Sequence, residues 1–479
     1  MKKIIALLLA VVMVLGLFAG CGKTQTEAPK QENQTANTPA ETPEEEKPAE
    51  ATPDTITIMA PPVTGSYLEN LKVWAADFNA MYPHLTVEII ETSWGDHSDK
   101  LSTMAAAGDA PDIAEVSYAA IGKYVEMGVG IDIAQYMSAE RLADYDDNAL
   151  AYMSLDGTVY GLPLYLTIQS IGANKTLMEE LGIDVAKIQN EGWTFEEFLK
   201  VIETGTDKDA NRYGFVFANS GVTASDMLQI FGAGAGLSNT FTEDLKYTFT
   251  SDNMLTLLKN IETMIQSGYM PNYGVEAGQR LVMCQTGNAM IFGKAMPLFE
   301  GNFVKNNAAL EANDGTAVEN SLTMDYAFLP VPTMGCEEAC FGSVDGLIAM
   351  RNKDTTDEHL QNVLLFMDYI CSGERIASCM GDLYLDSVCQ SGREAVTLAE
   401  GRDAQNLATA SRCIAMVQAP PTNVTSELTA AASQMMSEQI VPKFQLLLSG
   451  EATAQEVYDH ICSAAYAAFG EDGCVKGAL

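Results

Sequence analysis

Positive charge is scarce in this chain: 27 lysines and arginines stand against 64 aspartates and glutamates over 479 residues, a formal net charge of −37. Such a surface repels nucleic-acid phosphates and anionic lipid headgroups, which argues against a nucleic-acid role. Histidine is scarcer still. His84, His97, His359 and His460 are scattered, with no H-E-x-x-H pair, and no G-x-S-x-G turn occurs either, so the metalloprotease and serine-hydrolase chemistries have no support. No C-x-x-C occurs. After Cys21 there is no cysteine until Cys284; nine follow, an odd number that cannot pair completely within one chain, at spacings that match no zinc pattern. The sequence implies neither a metal nor a cofactor. Paired carboxylates for glycoside hydrolysis find candidates among any 64 acids, so a surface glycosidase stays open as a second reading.

What is present starts with an export leader. Met1-Lys2-Lys3 precedes an uncharged apolar stretch from Ile4 to Ala19, too short to span a bilayer, and Leu17-Phe18-Ala19-Gly20-Cys21 closes it in a pattern that resembles a lipobox. That resemblance implies cleavage before Cys21 and its acylation, hence a membrane anchor, because more than one acyl chain holds stably. Cleavage also removes Lys2 and Lys3, leaving 25 basic against 64 acidic residues. From Gly22 to Pro53 there is no aromatic residue and no Leu, Ile, Val or Met, so residues 21–53 read as a lipidated cysteine and a solvated tether.

The body from Asp54 to Leu479 exceeds the size at which one core keeps growing, and two lobes are expected. Ile56 to Ile58 reads as a strand and Ser66-x-x-Glu69 as a capping box. Leu71, Ala75, Phe78 and Tyr82 mark one helix face that Pro83 ends. Leu85 to Ile90 is a second strand, Leu101 to Ala107 a helix, and Pro111 to Val116 a third strand; this alternation predicts an α/β fold with mostly parallel sheets. Leu155 to Tyr160 reads as a turn between extended pieces, Thr194-x-x-Glu197 as a second capping box, and Thr425 to Ala468 as largely helical. Gly232-Ala233-Gly234-Ala235-Gly236 lacks the spacing of a phosphate loop and reads as a flexible or tight turn.

Several stretches in order resemble the family-one extracellular solute-binding proteins of ABC importers, the group that includes maltose-binding protein. They are Phe78-x-x-x-Tyr82-Pro83-x-Leu85-x-Val87-Glu88, Ala106-Ala107-Gly108-x-x-Pro111-Asp112-Ile113, Asp156-Gly157-x-x-Tyr160-Gly161-Leu162-Pro163, Asn174-Lys175 before Leu181-Gly182-Ile183, Trp193-Thr194-x-x-Glu197, and Gly287-x-Ala289-Met290-x-x-Gly293. The resemblance implies a two-lobed periplasmic-binding-protein-like fold of type II. The chain would cross near Leu164 to Thr167, Ser343 to Leu347 and Asp386 to Cys389, giving one lobe of 54–166 plus 347–388 and another of 167–346 plus 389–479. It further implies a small-molecule solute, such as a sugar or oligosaccharide, held in a hinged cleft and passed to permease subunits, with no catalysis. A peptide or polyamine remains the alternative solute.

A sugar needs flat aromatic side chains and polar partners for its hydroxyls. Tyr67, Trp94 and Tyr118 each follow a predicted strand, with Asp96 and Ser117 beside them. Tyr165, Thr167 and Gln169 alternate along the first crossing segment and would share its cleft face. Phe292 and Lys294 lie where many relatives carry Gly-Pro-Trp, replaced here by Gly293-Lys294-Ala295, which leaves the ligand class open. Ser343 and Asp345 sit at the second crossing, Asp345 to hold hydroxyls or pair a cation. Trp193, just before a helix cap, reads as structural.

Overall fold

A computed structural model describes residues 52–218, 223–385, 387–395 and 402–479, the side chains of Thr223 and Asp382 excepted. The leader, Cys21, nearly all of the tether and Asp386 of the third expected crossing lie outside the described residues.

Eight strands form one sheet: β1 Asp54–Ala60, β2 Leu85–Glu91, β3 Ile113–Ser117, β4 Gly161–Asn174, β5 Tyr213–Val216, β6 Ala289–Ala295, β7 Tyr326–Leu329 and β8 Phe341–Ala349. Their order is β2-β1-β3-β8-β4-β6-β5, with β7 also paired to β4. The outer strands pair in parallel, β1 with β2 and β3, and β5 with β6, as expected where helices link successive strands. β4 and β8 run antiparallel to their neighbours.

β4 joins the two halves. Its 14 residues reach roughly 45 Å at about 3.3 Å per residue. Gly161 to Gln169 pair with β8, and Ser170 to Asn174 pair with β6 and β7. Pro163 has no N–H for the ladder, and the register slips beside it: Asp345 faces Tyr165 while Gly346 faces Pro163, leaving Leu164 as the extra residue of a bulge.

Two clusters of buried side chains flank this sheet. One gathers Ile56, Ile58, Leu71, Phe78 and Leu347 and continues past Phe292 and Phe328; the other gathers Ile171, Phe198, Phe215, Phe231, Ile291 and Leu329. The alternation of Ile291 and Phe292, or Phe328 and Leu329, between clusters is the period-two signature of strands buried on both faces.

Locally, the helix Tyr67–Met81 buries Tyr67, Leu71, Ala75 and Phe78. The expected Ser66 capping box does not form: the Ser66 backbone is already helical, and Glu69 turns to Lys72 at 2.7 Å. The Thr194–Glu197 box does form. Asp156 and Gly157 both take positive φ in the tight hairpin joining Ser154–Leu155 to Thr158–Val159. Gly232 and Gly234 close the helix Thr223–Gly234 rather than forming a loop, and a side chain at Gly234 would strike the Pro332 carbonyl oxygen at 2.2 Å.

The tail begins with the helix Ser426–Gln434, packed so closely on Ile121–Glu126 that a Cβ at Gly122 would lie 2.9 Å from Thr429 Cβ. It passes through a π-turn, Met435–Ile440, into Val441–Ser449. Pro442 lacks the N–H that Glu438 would otherwise receive, a sufficient reason for the irregular turn before it. None of the nine cysteines from Cys284 onward is in a disulfide, and most are buried. Among the described residues no helix is long and apolar enough to cross a membrane.

Candidate functional site in the interlobe cleft

The register of three strands creates a polar floor. β3 and β8 place Ser117 opposite Asp345 and Glu115 opposite Leu347; β8 and β4 place Asp345 opposite Tyr165, Ser343 opposite Thr167 and Phe341 opposite Gln169. Directly opposed residues share a face, so Glu115, Ser117, Tyr165, Thr167, Gln169, Ser343 and Asp345 form one polar surface. Val116, Ile168 and Val344 point the other way into the core.

This floor opens into a compartment of about 400 Å³, lined also by Trp94, His97, Tyr118, Asp226, Gln229 and Phe341. A second compartment of about 310 Å³ adjoins it and shares Tyr118, Ala119 and Gln229. Its lining is largely apolar: Tyr152, Phe241, Tyr247, Pro420, Pro421 and Val424, closed by Thr429, Ala432, Met436 and Val441 of the tail helix. Tyr118 and Tyr152 meet edge to face at 4.8 Å. The facing wall is the helix Thr223–Gly234, where Asp226 and Gln229 lie one turn apart.

Lys294 sets the position of Asp226 with an ion pair of 2.6 Å. Its own backbone is left-handed, at φ 53°, and the buried Arg280 holds that turn by donating to the carbonyls of Gly293 at 2.9 Å and Lys294 at 3.0 Å. His97 is fixed at both nitrogens. Nε2 lies 2.7 Å from the Glu115 carbonyl oxygen, which can only accept, so Nε2 carries a proton, and in the neutral ring Nδ1 accepts from the Thr92 hydroxyl at 2.6 Å. Burial pushes the imidazole below its ordinary pKa, which favours this neutral form.

Burial, together with the neighbouring Asp345, raises the Glu115 carboxyl well above the usual range. Burial raises Asp345 as well, although hydroxyl donors from Tyr165, at 2.7 Å, and Ser117 act against it. Burial also pushes the Tyr118 phenol up to about 12. Among the described residues, three buried polar atoms of the cleft have no hydrogen-bond partner: Glu115 Oε1, Gln169 Oε1 and Ser238 Oγ. A buried acceptor left unmet costs roughly 1 to 3 kcal/mol, so such atoms mark places that await a donor.

Of the expected ligand residues, the structure brings Trp94, Ser117, Tyr118, Gln169, Ser343 and Asp345 together around the larger compartment. Tyr165 lies 6% exposed beneath it and acts through its bond to Asp345. Thr167 shares the floor face but lines neither compartment. Tyr67 and Phe292 are core side chains: Tyr67 is 1% exposed against Trp74, and Phe292 packs with Phe303 and Tyr326. Neither offers a face to a solute. Asp96 stays exposed, bonded to Ser93 at 2.7 Å, and Lys294 reaches the cleft only through Asp226. Reading the sequence missed Glu115, His97, Asp226 and Gln229. Only Glu115 left a sign, a lone charge within the apolar run Ile113 to Val116.

Two half-sheets sharing crossing strands, with polar residues of those strands flooring a cleft, define a two-lobed solute receptor. The chain belongs to the bacterial extracellular solute-binding protein family, whose profile matches residues 64–371. Membership makes it a binding protein rather than an enzyme, and places it outside the cytoplasmic membrane. It is 26% identical over 158 residues to a maltotriose-binding protein of Pyrococcus abyssi, 33% of this chain and 32% of that one. It is 29% identical over 120 residues to a binding protein of Brucella abortus, 25% of this chain and 28% of the relative. The matched stretches thus span about a third or less of these relatives. Its fold is similar to that of an ABC substrate-binding protein of Listeria monocytogenes in complex with cycloalternan, with a TM-score of 0.67 and 16% identity over 87% of this chain and 99% of that one. A solute-binding protein of Thermotoga lettingae bound to α-D-tagatose gives 0.64 and 18%, over 87% and 100%.

Proposed function

We propose that this protein captures a sugar or oligosaccharide in the cleft and delivers it to the permease subunits of an ABC importer. The observation that carries this reading is the polar floor of Ser117, Gln169, Ser343 and Asp345 beside the aromatic faces of Trp94 and Tyr118. Hydroxyls bind the first set, and the C–H faces of a pyranose bind the second. The named ligands of the relatives, from maltotriose to tagatose, support the same class.

In this reading residues 54–166 with 347–388 form one lobe and 167–346 with 389–479 the other, closing about the solute as hinged binding proteins do. Cys21 carries the lipid anchor; metabolic labelling with a radioactive fatty acid is expected in the wild type and absent in Cys21→Ser.

Thermal unfolding against a panel of mono- and oligosaccharides, peptides and polyamines tests the ligand class. A ligand specific to the native state adds about 2.7 kcal/mol of stability at roughly a hundred times its dissociation constant. Shifts confined to non-sugars would overturn the sugar reading while leaving the receptor.

A further inference from the structure

The larger compartment is unevenly charged for a site that meets only neutral hydroxyls. Glu115, Asp226 and Asp345 bring three carboxyls to it. Asp226 is matched by Lys294, His97 Nε2 lies 3.7 Å from Glu115 Oε2 on a ring that burial pushes below its ordinary pKa, and among the described residues no other base lines the compartment. Three carboxyls thus meet one lysine, already paired to Asp226, and one imidazole that burial holds toward its neutral form.

A second observation points the same way. Glu115 is 2% exposed, and its Oε1 is unpartnered; Gln169 Oε1, on the same face two strands away, is unpartnered too. Both are acceptors. Trp94, whose indole N–H is taken by the Pro62 carbonyl at 3.0 Å, presents its ring to this space, as does Tyr118. Carboxylates, bare acceptors and aromatic faces together are the recognition set of an ammonium group, which supplies three donors, a positive charge and a cation–π partner.

We propose that the polar compartment holds the protonated amino group of an aminated saccharide, a sugar with a free amine in place of a hydroxyl, while the aromatic compartment takes its further rings. This rests on the saccharide reading above. Tyr118, common to both compartments, then lies where the charged ring gives way to its neighbour.

Calorimetry on the protein at about pH 6.5, where an aliphatic amine is protonated, tests this with three tetrasaccharides of one β-1,4 skeleton. These are the glucosamine tetramer, its N-acetylated form and cellotetraose; maltotetraose and the monosaccharides glucosamine and glucose complete the set. Tenfold or tighter binding of the aminated member over its neutral partners is expected. That ratio should fall to within about twofold of unity in Asp345→Asn and in Glu115→Gln, each checked for an unchanged circular-dichroism spectrum. Neutral saccharides binding as tightly as aminated ones would overturn the inference and leave sugar capture standing. Binding of no saccharide of either kind would overturn the sugar reading itself.

Discussion

β3 carries a histidine–carboxylate cluster at each end, and the two are built from the same residue types to opposite effect. At its start, His359 bridges Asp54, at 2.9 and 3.0 Å, and Asp112, at 2.9 Å. Asp112 also accepts from Thr57 and Asn352, and Asp54 from Asn362. Bonds from the imidazole to Asp112 and Asp54 raise its pKa to about 9. At the far end His97 is pushed down, Glu115 is pushed up, and Glu115 Oε1 is left without a partner. One cluster closes its hydrogen-bond accounts and ties β1, β3 and the helix Asp357–Ile370 together. The other leaves them open toward the cleft, and that difference, rather than composition, separates a clamp from a binding site.

Breaking the clamp should give the largest effect. His359→Ala leaves two carboxylates facing one another and is expected to lower unfolding stability by about 3 to 5 kcal/mol in urea titrations, with saccharide affinity preserved in the fraction that folds. The same cluster fixes a pH dependence. A folded pKa raised from 6.5 to about 9 means its contribution is complete below pH 6.5 and is lost as pH rises through 9. At about 1.4 kcal/mol per unit, roughly 3 kcal/mol should disappear over that window. His359→Gln should flatten that part of the stability curve.

At the other end of the strand the effects turn from stability to binding. Trp94→Ala, at a side chain 49% exposed, should leave the thermal midpoint almost unmoved while weakening saccharide binding about tenfold in calorimetry. Glu115→Gln is expected to raise unfolding stability by about 1 kcal/mol at neutral pH, because a buried carboxyl with an unmet oxygen becomes a neutral amide. A loss of stability there would erase the contrast between the clusters.

Period was the legible part of the sequence. It foresaw the first three strands and their helices, and the shared face of Tyr165, Thr167 and Gln169, because alternation survives into a strand whatever its partners. Partners were not legible. Asp226 enters the cleft only because its helix crosses the sheet beside β8, a contact between residues more than a hundred positions apart in sequence. Tyr67 and Trp94 both follow strands and differ only in which neighbours cover them, so one is core and the other lines the cleft. The Ser66 capping box did not form because its S-x-x-E spacing does not fix the backbone, which is already helical at Ser66 while Glu69 pairs with Lys72.

The floor has a consequence for how such receptors diversify. β3, β4 and β8 are held together by main-chain bonds that do not depend on which side chains stand above them. On the saccharide reading proposed above, positions 115, 117, 165, 167, 169, 343 and 345 are interchangeable keys on a fixed instrument. Lineages can retune the solute one key at a time while inheriting the frame intact, so a shared frame at 16% identity need carry no shared menu.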